Sequence, residues 1–260
     1  MTKILAIANQ KGGVGKTTTA INLSACLAAS KKKTLLVDMD PQGNATSGLG
    51  IQKSSLKTTI YDCLLSTDNF DLNGVILPTE IAELFLIPSN IDLIGAQVEL
   101  VSLPKREFKL AETLSKTQNF DFIIVDAPPS LGLLTVNVLC AAHSLIIPIQ
   151  CEYYALEGLG LLINTINKIR KTLNPKLFVE GILLTMYDPR TNLSNEVVRQ
   201  VKEKFQHHVF ETIIHRSVKI SESPGFGKPM ILYDFKSLGS QQYIKFCEEV
   251  IKKNEKASLG

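Results

Sequence analysis

The chain has 260 residues, 45% of them hydrophobic and 20% charged, with 28 Lys/Arg against 25 Asp/Glu. That balance excludes a disordered chain and suits a soluble globular protein with a sizeable core. The longest apolar runs, such as Leu159 to Ile163 and Ser144 to Ile149, fall far short of the roughly 20 residues that a membrane-spanning helix needs.

The N-terminus enters the first strand directly, without a charged n-region and cleavage site, so no signal peptide is expected and the cytoplasm is the expected compartment. Lys3 to Ala8 reads as that strand. Lys16 to about Ser30 reads as a helix whose buried face holds Ala20, Ile21, Leu23, Ser24, Leu27 and Ala28. Between them runs Asn9-Gln10-Lys11-Gly12-Gly13-Val14-Gly15-Lys16-Thr17-Thr18-Thr19, a glycine-rich loop in the strand, loop, helix context of a phosphate site. The glycines let backbone N–H groups turn toward phosphate oxygens, and the helix N-terminus adds a favourable dipole. Lys16 can reach the β- and γ-phosphates, and Thr17 can ligate Mg²⁺. Lys11 to Thr18 is therefore the candidate nucleotide-binding segment. Gln10 stands where the usual motif opens with glycine. Lys11 supplies a second cation, able to approach phosphate in its own site or across a dimer interface, with a solvated loop cation as the plainer reading.

Lys31 to Lys33 close the helix favourably for its dipole. Thr34 to Asp38 is a continuous apolar run ending in an acid, as in a parallel strand buried on both faces. It empties into Asp38-Met39-Asp40-Pro41-Gln42-Gly43-Asn44, a loop beside the nucleotide crevice. An acid there can act on an attacking water or on a metal shell, or it can simply fix a turn. From Ser54 to Leu103 nothing demands a chemical role. Thr59 to Leu65 reads as helix, Glu83 to Ile87 and Ile91 to Ile94 as short extended runs, and Pro78 and Pro88 as turns. A longer helical pattern covers Ala96 to Thr117, with an irregularity near Pro104.

Phe122-Ile123-Ile124-Val125-Asp126 has the form of a Walker B strand, with Asp126 at its carboxyl end near the magnesium. Leu133 to Ala142 should be helix, Ser144 to Ile149 strand, Tyr153 to Leu173 a long amphipathic helix, and Phe178 to Met186 another buried strand. The repeated βα rhythm and uniform composition predict one α/β domain over residues 1–260. It is a doubly wound, mostly parallel sheet of about seven or eight strands flanked by helices, a P-loop NTPase of Rossmann-like type.

Charge is uneven along the chain. Residues 1–160 carry 12 Lys/Arg against 15 Asp/Glu, and residues 161–260 carry 16 against 10, so the second half could meet a polyanion. The strand Phe178 to Met186 is followed by a loop holding Arg190 and a helix over Leu193 to Phe205. A strand over Val209 to Ile214 is followed by His215-Arg216-Ser217-Val218-Lys219, so that Arg190, Arg216 and Lys219 are expected outside regular elements. No helix-turn-helix or aromatic stacking series is present, so any nucleic acid would be held through its phosphates. Leu238 to Lys253 closes the chain as a helix packed on the sheet. The polar stretch after Ile251 offers lipid no apolar face. Five widely spaced cysteines, without a C-x-x-C pair, read as small buried apolar residues.

Lys-Gly-Gly-x-Gly-Lys-Thr-Thr at Lys11 to Thr18 resembles the deviant Walker A of the ParA/MinD family of ATPases, in which the early lysine is the signature. Asp-x-Asp-Pro-Gln-Gly-Asn at Asp38 to Asn44 resembles that family's switch I, and Asp-Ala-Pro-Pro-Ser at Asp126 to Ser130 its switch II. The loops at Arg190 and at Arg216 to Pro224 resemble those of Soj-type ParA proteins. The resemblance covers nearly the whole chain and implies a chromosome- or plasmid-partitioning ATPase with ATP and Mg²⁺. It implies that Lys11 and Lys16 bind phosphate, Asp40 orients water, and Thr17, Asp38 and Asp126 serve the metal. It also implies an ATP-dependent homodimer with each Lys11 reaching the other's phosphates, non-specific binding of double-stranded DNA by Arg190, Lys219 and Arg216, a ParB-type partner, and nucleoid association. His215 and Ser217 stand where the family has Pro and Asn facing adenine, so only a stacking imidazole and a hydroxyl or backbone contact could replace them. A MinD-like membrane-positioning ATPase is the alternative, disfavoured by the polar C-terminus. An iron protein of the nitrogenase type would need cysteines after the switch II prolines, where Ser130-Leu131-Gly132 has none.

Overall fold

The computed structural model describes residues 2–66, 70–153 and 155–258. Eight strands form one sheet in the order β3-β4-β2-β5-β1-β6-β7-β8, parallel throughout except for β3. They are β1 (Lys3–Ile7), β2 (Thr34–Asp38), β3 (Leu77–Pro78), β4 (Leu84–Ile87), β5 (Phe122–Asp126), β6 (Ser144–Gln150), β7 (Phe178–Tyr187) and β8 (Val209–His215). The central strands are apolar without interruption because both faces are covered. Alternate side chains then divide between two cores, as a period of two requires. Leu5 and Ile7 of β1, Leu36 of β2 and Ile124 of β5 pack on one side with α1 (Lys16–Ala29) and the C-terminal helix, Leu238–Ser258. Ala6, Leu35, Val37, Ile123 and Val125 pack on the other, and each fully buried Leu or Ile there contributes about 1.5–3 kcal/mol.

The remaining helices, in chain order, are α2 (Asn44–Gly48), α3 (Ile60–Leu65), α4 (Leu93–Glu99), α5 (Lys109–Ser115), α6 (Leu133–Ala141), α7 (Ala155–Thr172), α8 (Asn192–Phe205), α9 (Val218–Glu222) and α10 (Met230–Tyr233), with α11 the C-terminal helix. From β1 the chain winds outward through β2 and β4, returns to insert β5, and then builds β6, β7 and β8 on the other side. The reversal puts the carboxyl ends of β1, β2 and β5 around one crevice, the position where such sheets bind ligands.

Three expectations need correction. The helix over Ala96 to Thr117 is two helices, α4 and α5, separated at Leu103-Pro104-Lys105. Pro104 drives the residue before it out of helical geometry, and Leu103 takes ψ 143° while Lys105 turns left-handed at φ 52°. Ile91 to Ile94 is not extended. The Asn90 side chain accepts from Asp92 N–H at 3.1 Å in a local turn that launches α4. Pro78 lies in the short strand β3, at the sheet edge where its missing N–H is tolerated. The expected α7 begins two residues earlier than the observed one, and Tyr154 of that expectation lies outside the described residues. All five cysteines are buried. Tyr243, Phe246, Cys247 and Val250 of α11 are buried on the sheet, so its apolar face is spent on the core. Among the described residues no helix is long and apolar enough to cross a membrane.

Candidate nucleotide site and basic loops

The loop after β1 is held open by side chains from neighbouring strands. β6 pairs with β1 only as far as Ile146 opposite Ile7, so beyond that point its edge faces the loop. Asn9 uses this edge: its Nδ2 donates to the Pro148 carbonyl at 2.7 Å, and its Oδ1 accepts from Lys11 N–H at 3.0 Å. On the far side, Thr185 Oγ1 of β7 donates to the Val14 carbonyl at 2.9 Å, and Val14 is buried. Gly13 and Gly15 are left-handed, at φ 73° and 86°, so any side chain at either would be strained. A Cβ built on Gly12 or Gly13 would meet no atom within 4 Å. Both face open space, and the loop's amides continue into α1 with Gly15 as the N-cap.

At the floor of this crevice lie Lys16, Asp38, Asp40 and Asp126, all buried. Lys16 Nζ donates to the Lys11 carbonyl at 3.1 Å. Burial lowers the Lys16 pKa, partly offset by the charges of Asp126 and Asp40. Asp38 and Asp126 face each other across adjacent strands. Burial raises both above the usual carboxylate range, Asp38 to about 6, and the Asp38 charge adds to the rise at Asp126. Their surroundings differ. Asp38 Oδ2 accepts from Thr46 N–H and Oγ1, both at 2.8 Å, and its Oδ1 accepts from Asp40 N–H at 3.1 Å. Among the described residues neither Asp126 oxygen has a well-formed hydrogen bond, and the approach of the Thr17 hydroxyl offsets only part of the rise. A buried carboxylate without a donor is costly unless a cation completes it. Asp126 and Thr17, a carboxylate and a hydroxyl, are hard oxygen donors of the kind that Mg²⁺ takes, and they fit such an ion.

Asp40 projects from a braced loop. Its Oδ1 accepts from Gln42 N–H at 2.9 Å, and its carbonyl accepts from Ser89 Oγ at 2.8 Å. Ser89 N–H donates in turn to Thr46 Oγ1 at 2.9 Å. Ser89 lies in the stretch that offered no chemical role in the sequence. The signal available was its place just after the apolar run Leu84 to Ile87, at the carboxyl end of a parallel strand.

His215 and Ser217 line a cavity of about 180 Å³ whose other walls include Gly15, Thr18, Thr185, Ile220 and Tyr243. The structure thus brings both beside the phosphate loop. His215 N–H donates to Gln242 Oε1 at 3.0 Å, and its ring lies 5.1 Å from that of Tyr187.

The basic residues are arranged differently. Arg190 binds Asp188 through Nε at 2.9 Å and Nη2 at 2.7 Å, and its guanidinium holds the Asp188 carboxyl down at about 2. Arg216 Nη2 lies 3.4 Å from Glu152, which also meets Lys11 Nζ at 3.6 Å and accepts from Gln150 Nε2 at 2.5 Å. Lys219 pairs with Asp234. Contrary to expectation, Lys219 belongs to a regular element, the short helix α9, whose first residue follows Ser217 in extended geometry. Glu152, Asp188 and Asp234 were not singled out in the sequence: Glu152 and Asp234 lie far from their cations, whereas Asp188, two residues before Arg190, was open to a local reading.

A family model described as an AAA domain matches residues 2–179. The chain is 53% identical over 251 residues to the sporulation initiation inhibitor protein Soj of Bacillus subtilis, covering 96% of this chain and 98% of that protein. It is likewise 53% identical over 253 residues to the chromosome partitioning protein ParA of Myxococcus xanthus, covering 97% and 89%. Among solved structures, cobyrinic acid a,c-diamide synthase from Mycobacterium smegmatis with bound ATP analogue and magnesium matches with a TM-score of 0.85 at 36% identity, covering 98% of this chain and 96% of that one. With its phosphate loop, paired strand-end acids and full-length similarity, the chain belongs to the ParA/Soj family of chromosome-partitioning P-loop ATPases.

Proposed function

We propose that the chain acts as one ATPase unit that binds ATP with Mg²⁺ in the crevice and closes with a second copy into a dimer that grips DNA. The observation that carries this reading is the buried Asp126 carboxylate, without a well-formed hydrogen bond among the described residues, beside Thr17 and Lys16. Lys16 and the amides from Lys11 to Thr18 hold the phosphates. Thr17 and Asp126 hold the metal, which supplies charge neutralisation on the phosphate oxygens. Asp38 spends its oxygens on Thr46 and Asp40 and so serves the metal shell at second hand while fixing the switch loop. Asp40 orients the attacking water. Phosphoryl transfer of this kind depends chiefly on position and charge, which the two lysines and these acids provide.

In the dimer Lys11 leaves Glu152 and reaches the phosphates of the other copy. His215 and Ser217 form the base-side wall, by ring stacking and a hydroxyl or backbone contact. Arg190, Arg216 and Lys219 meet the phosphates of double-stranded DNA without reading sequence. Hydrolysis, stimulated by a ParB-type partner, releases dimer and DNA, and the protein works in the cytoplasm at the nucleoid. Sedimentation of an Asp40→Ala variant tests the cycle. Accumulation of a dimer with ATP but not with ADP is the expected result, and a monomer under both conditions overturns it.

A further inference from the structure

Asn22 is an amide buried to 2% exposure in the middle of α1, among Ile21, Leu23 and Ala25, where an apolar side chain would pack at no polar cost. Both ends of the amide are used. Nδ2 donates to the Thr18 carbonyl at 2.8 Å, and Oδ1 accepts from the backbone N–H of Met230 at 2.7 Å, which lies 208 positions away. Met230 is the first residue of α10, so its N–H has no partner within that helix and depends on Asn22.

One end of this bridge is α1, which opens on the phosphate loop, and the other is α10, which holds α9. Thr18 sits in the first turn after the phosphate loop and lines the cavity shared with His215 and Ser217. α10 leads to Tyr233 and Asp234, and these grip α9: Tyr233 Oη donates to Glu222 at 3.2 Å, and Asp234 pairs with Lys219. α9 begins directly after Ser217 and contributes Ile220 and Ser221 to the same cavity wall. Asn22 thus ties α1, which carries Thr18, to α10 behind the base-side wall.

We propose that Asn22 is a positioning residue that sets the spacing between phosphate loop and base-side wall, and so the fit of the nucleoside relative to its phosphates. It touches no part of the ligand. The inference rests on the base-side reading of the cavity beside Gly15 and Thr18. Loss of the bridge loosens α10 behind the wall, whose His215 stays bonded to Gln242, and leaves the phosphate loop braced by Asn9 and Thr185.

The test compares ATP with inorganic tripolyphosphate, each with Mg²⁺, on wild type, Asn22→Ala, Asn22→Asp and His215→Ala. Asn22→Asp keeps an acceptor for Met230 and loses the donor to Thr18, so it separates the two halves of the bridge with little change in volume. For Asn22→Ala, ATP affinity is expected to fall about tenfold, the loss of buried hydrogen bonds, with tripolyphosphate affinity unchanged. The KM for ATP should rise while kcat at saturation stays within about twofold. Retained tripolyphosphate binding also certifies a folded loop. Equal loss for both ligands, or no loss for either, overturns the inference. His215→Ala separates it from the base-side reading: if that variant loses preference for ATP while both Asn22 variants keep it, only the role of Asn22 falls. If His215→Ala keeps the preference and the Asn22 variants lose it, the spacing role stands and the His215 contact falls.

Discussion

The nucleotide crevice and the basic loops differ in how their charges are settled. In the crevice, Lys16 and Asp126 are buried and Asp126 has no well-formed hydrogen bond among the described residues, so solvent cannot relieve it and a ligand can. In the loops each predicted DNA-binding cation is exposed and already paired with an acid, Arg190 with Asp188, Arg216 with Glu152 and Lys219 with Asp234. Exposed pairs of this kind are worth about 0–1 kcal/mol, so a polyanion can displace the acids at little cost. One region stores an unmet charge, and the other holds charges in weak, exchangeable partnerships. Glu152 joins them, because it holds Lys11 of the phosphate loop and Arg216 of the basic face.

Lys16→Ala should have the largest effect. It removes the buried cation, and the affinity for a fluorescent ATP analogue should fall about a hundredfold or more. Unchanged affinity would remove the crevice assignment. Asp126→Asn sharpens the claim of an unmet charge. It should abolish the Mg²⁺ dependence of ATP binding and raise the Tm of the nucleotide-free protein by several degrees, since a buried carboxylate only partly offset by Lys16 and Thr17 costs about 1–3 kcal/mol. The sign with pH follows from the raised pKa of Asp126 in the fold. Its ionised form opposes folding at neutral pH, and that penalty fades as pH falls through the folded pKa. The gain from Asp126→Asn should therefore shrink on acidification, as thermal melts across pH would read.

Arg190→Glu addresses the other region. DNA affinity should weaken equally across sequences, and the slope of log affinity against log salt should fall by about one in a gel-shift series. The smallest effect is expected from Asp188→Asn. Freed of its acid, Arg190 should bind DNA up to about fivefold more tightly, within the worth of one exposed pair. A large gain would mean that the pair is an inhibitory lock instead of a loose one.

Much of the crevice was legible in the sequence because its parts are local. Uninterrupted apolar runs ending in acids announce doubly covered parallel strands, and Thr34 to Asp38 and Phe122 to Asp126 fall where those runs predict. The phosphate loop is contiguous, so its residues could be named together. What escaped depends on distant partners. Nothing near Asn22 points to Met230, nothing near Asp40 points to Ser89, and the saturation of Asp38 by Thr46 needs the loop folded. The break at Pro104 was visible as an irregularity, but its depth followed from the left-handed Lys105, which no propensity favours. Arg190, Arg216 and Lys219 were legible as charges; the acids of two were not, since Asp234 lies 15 positions from Lys219 and Glu152 lies 64 from Arg216, while Asp188 sits two positions from Arg190.

The central claim is that filling the crevice turns the loosely paired basic face toward DNA. Retention of double-stranded DNA by the purified protein, with no nucleotide, ADP or ATP and at several salt concentrations, reads this directly. Retention with ATP alone, falling steeply as salt rises and indifferent to sequence, is the predicted result. Equal retention in all three nucleotide states, or binding insensitive to salt, would contradict it.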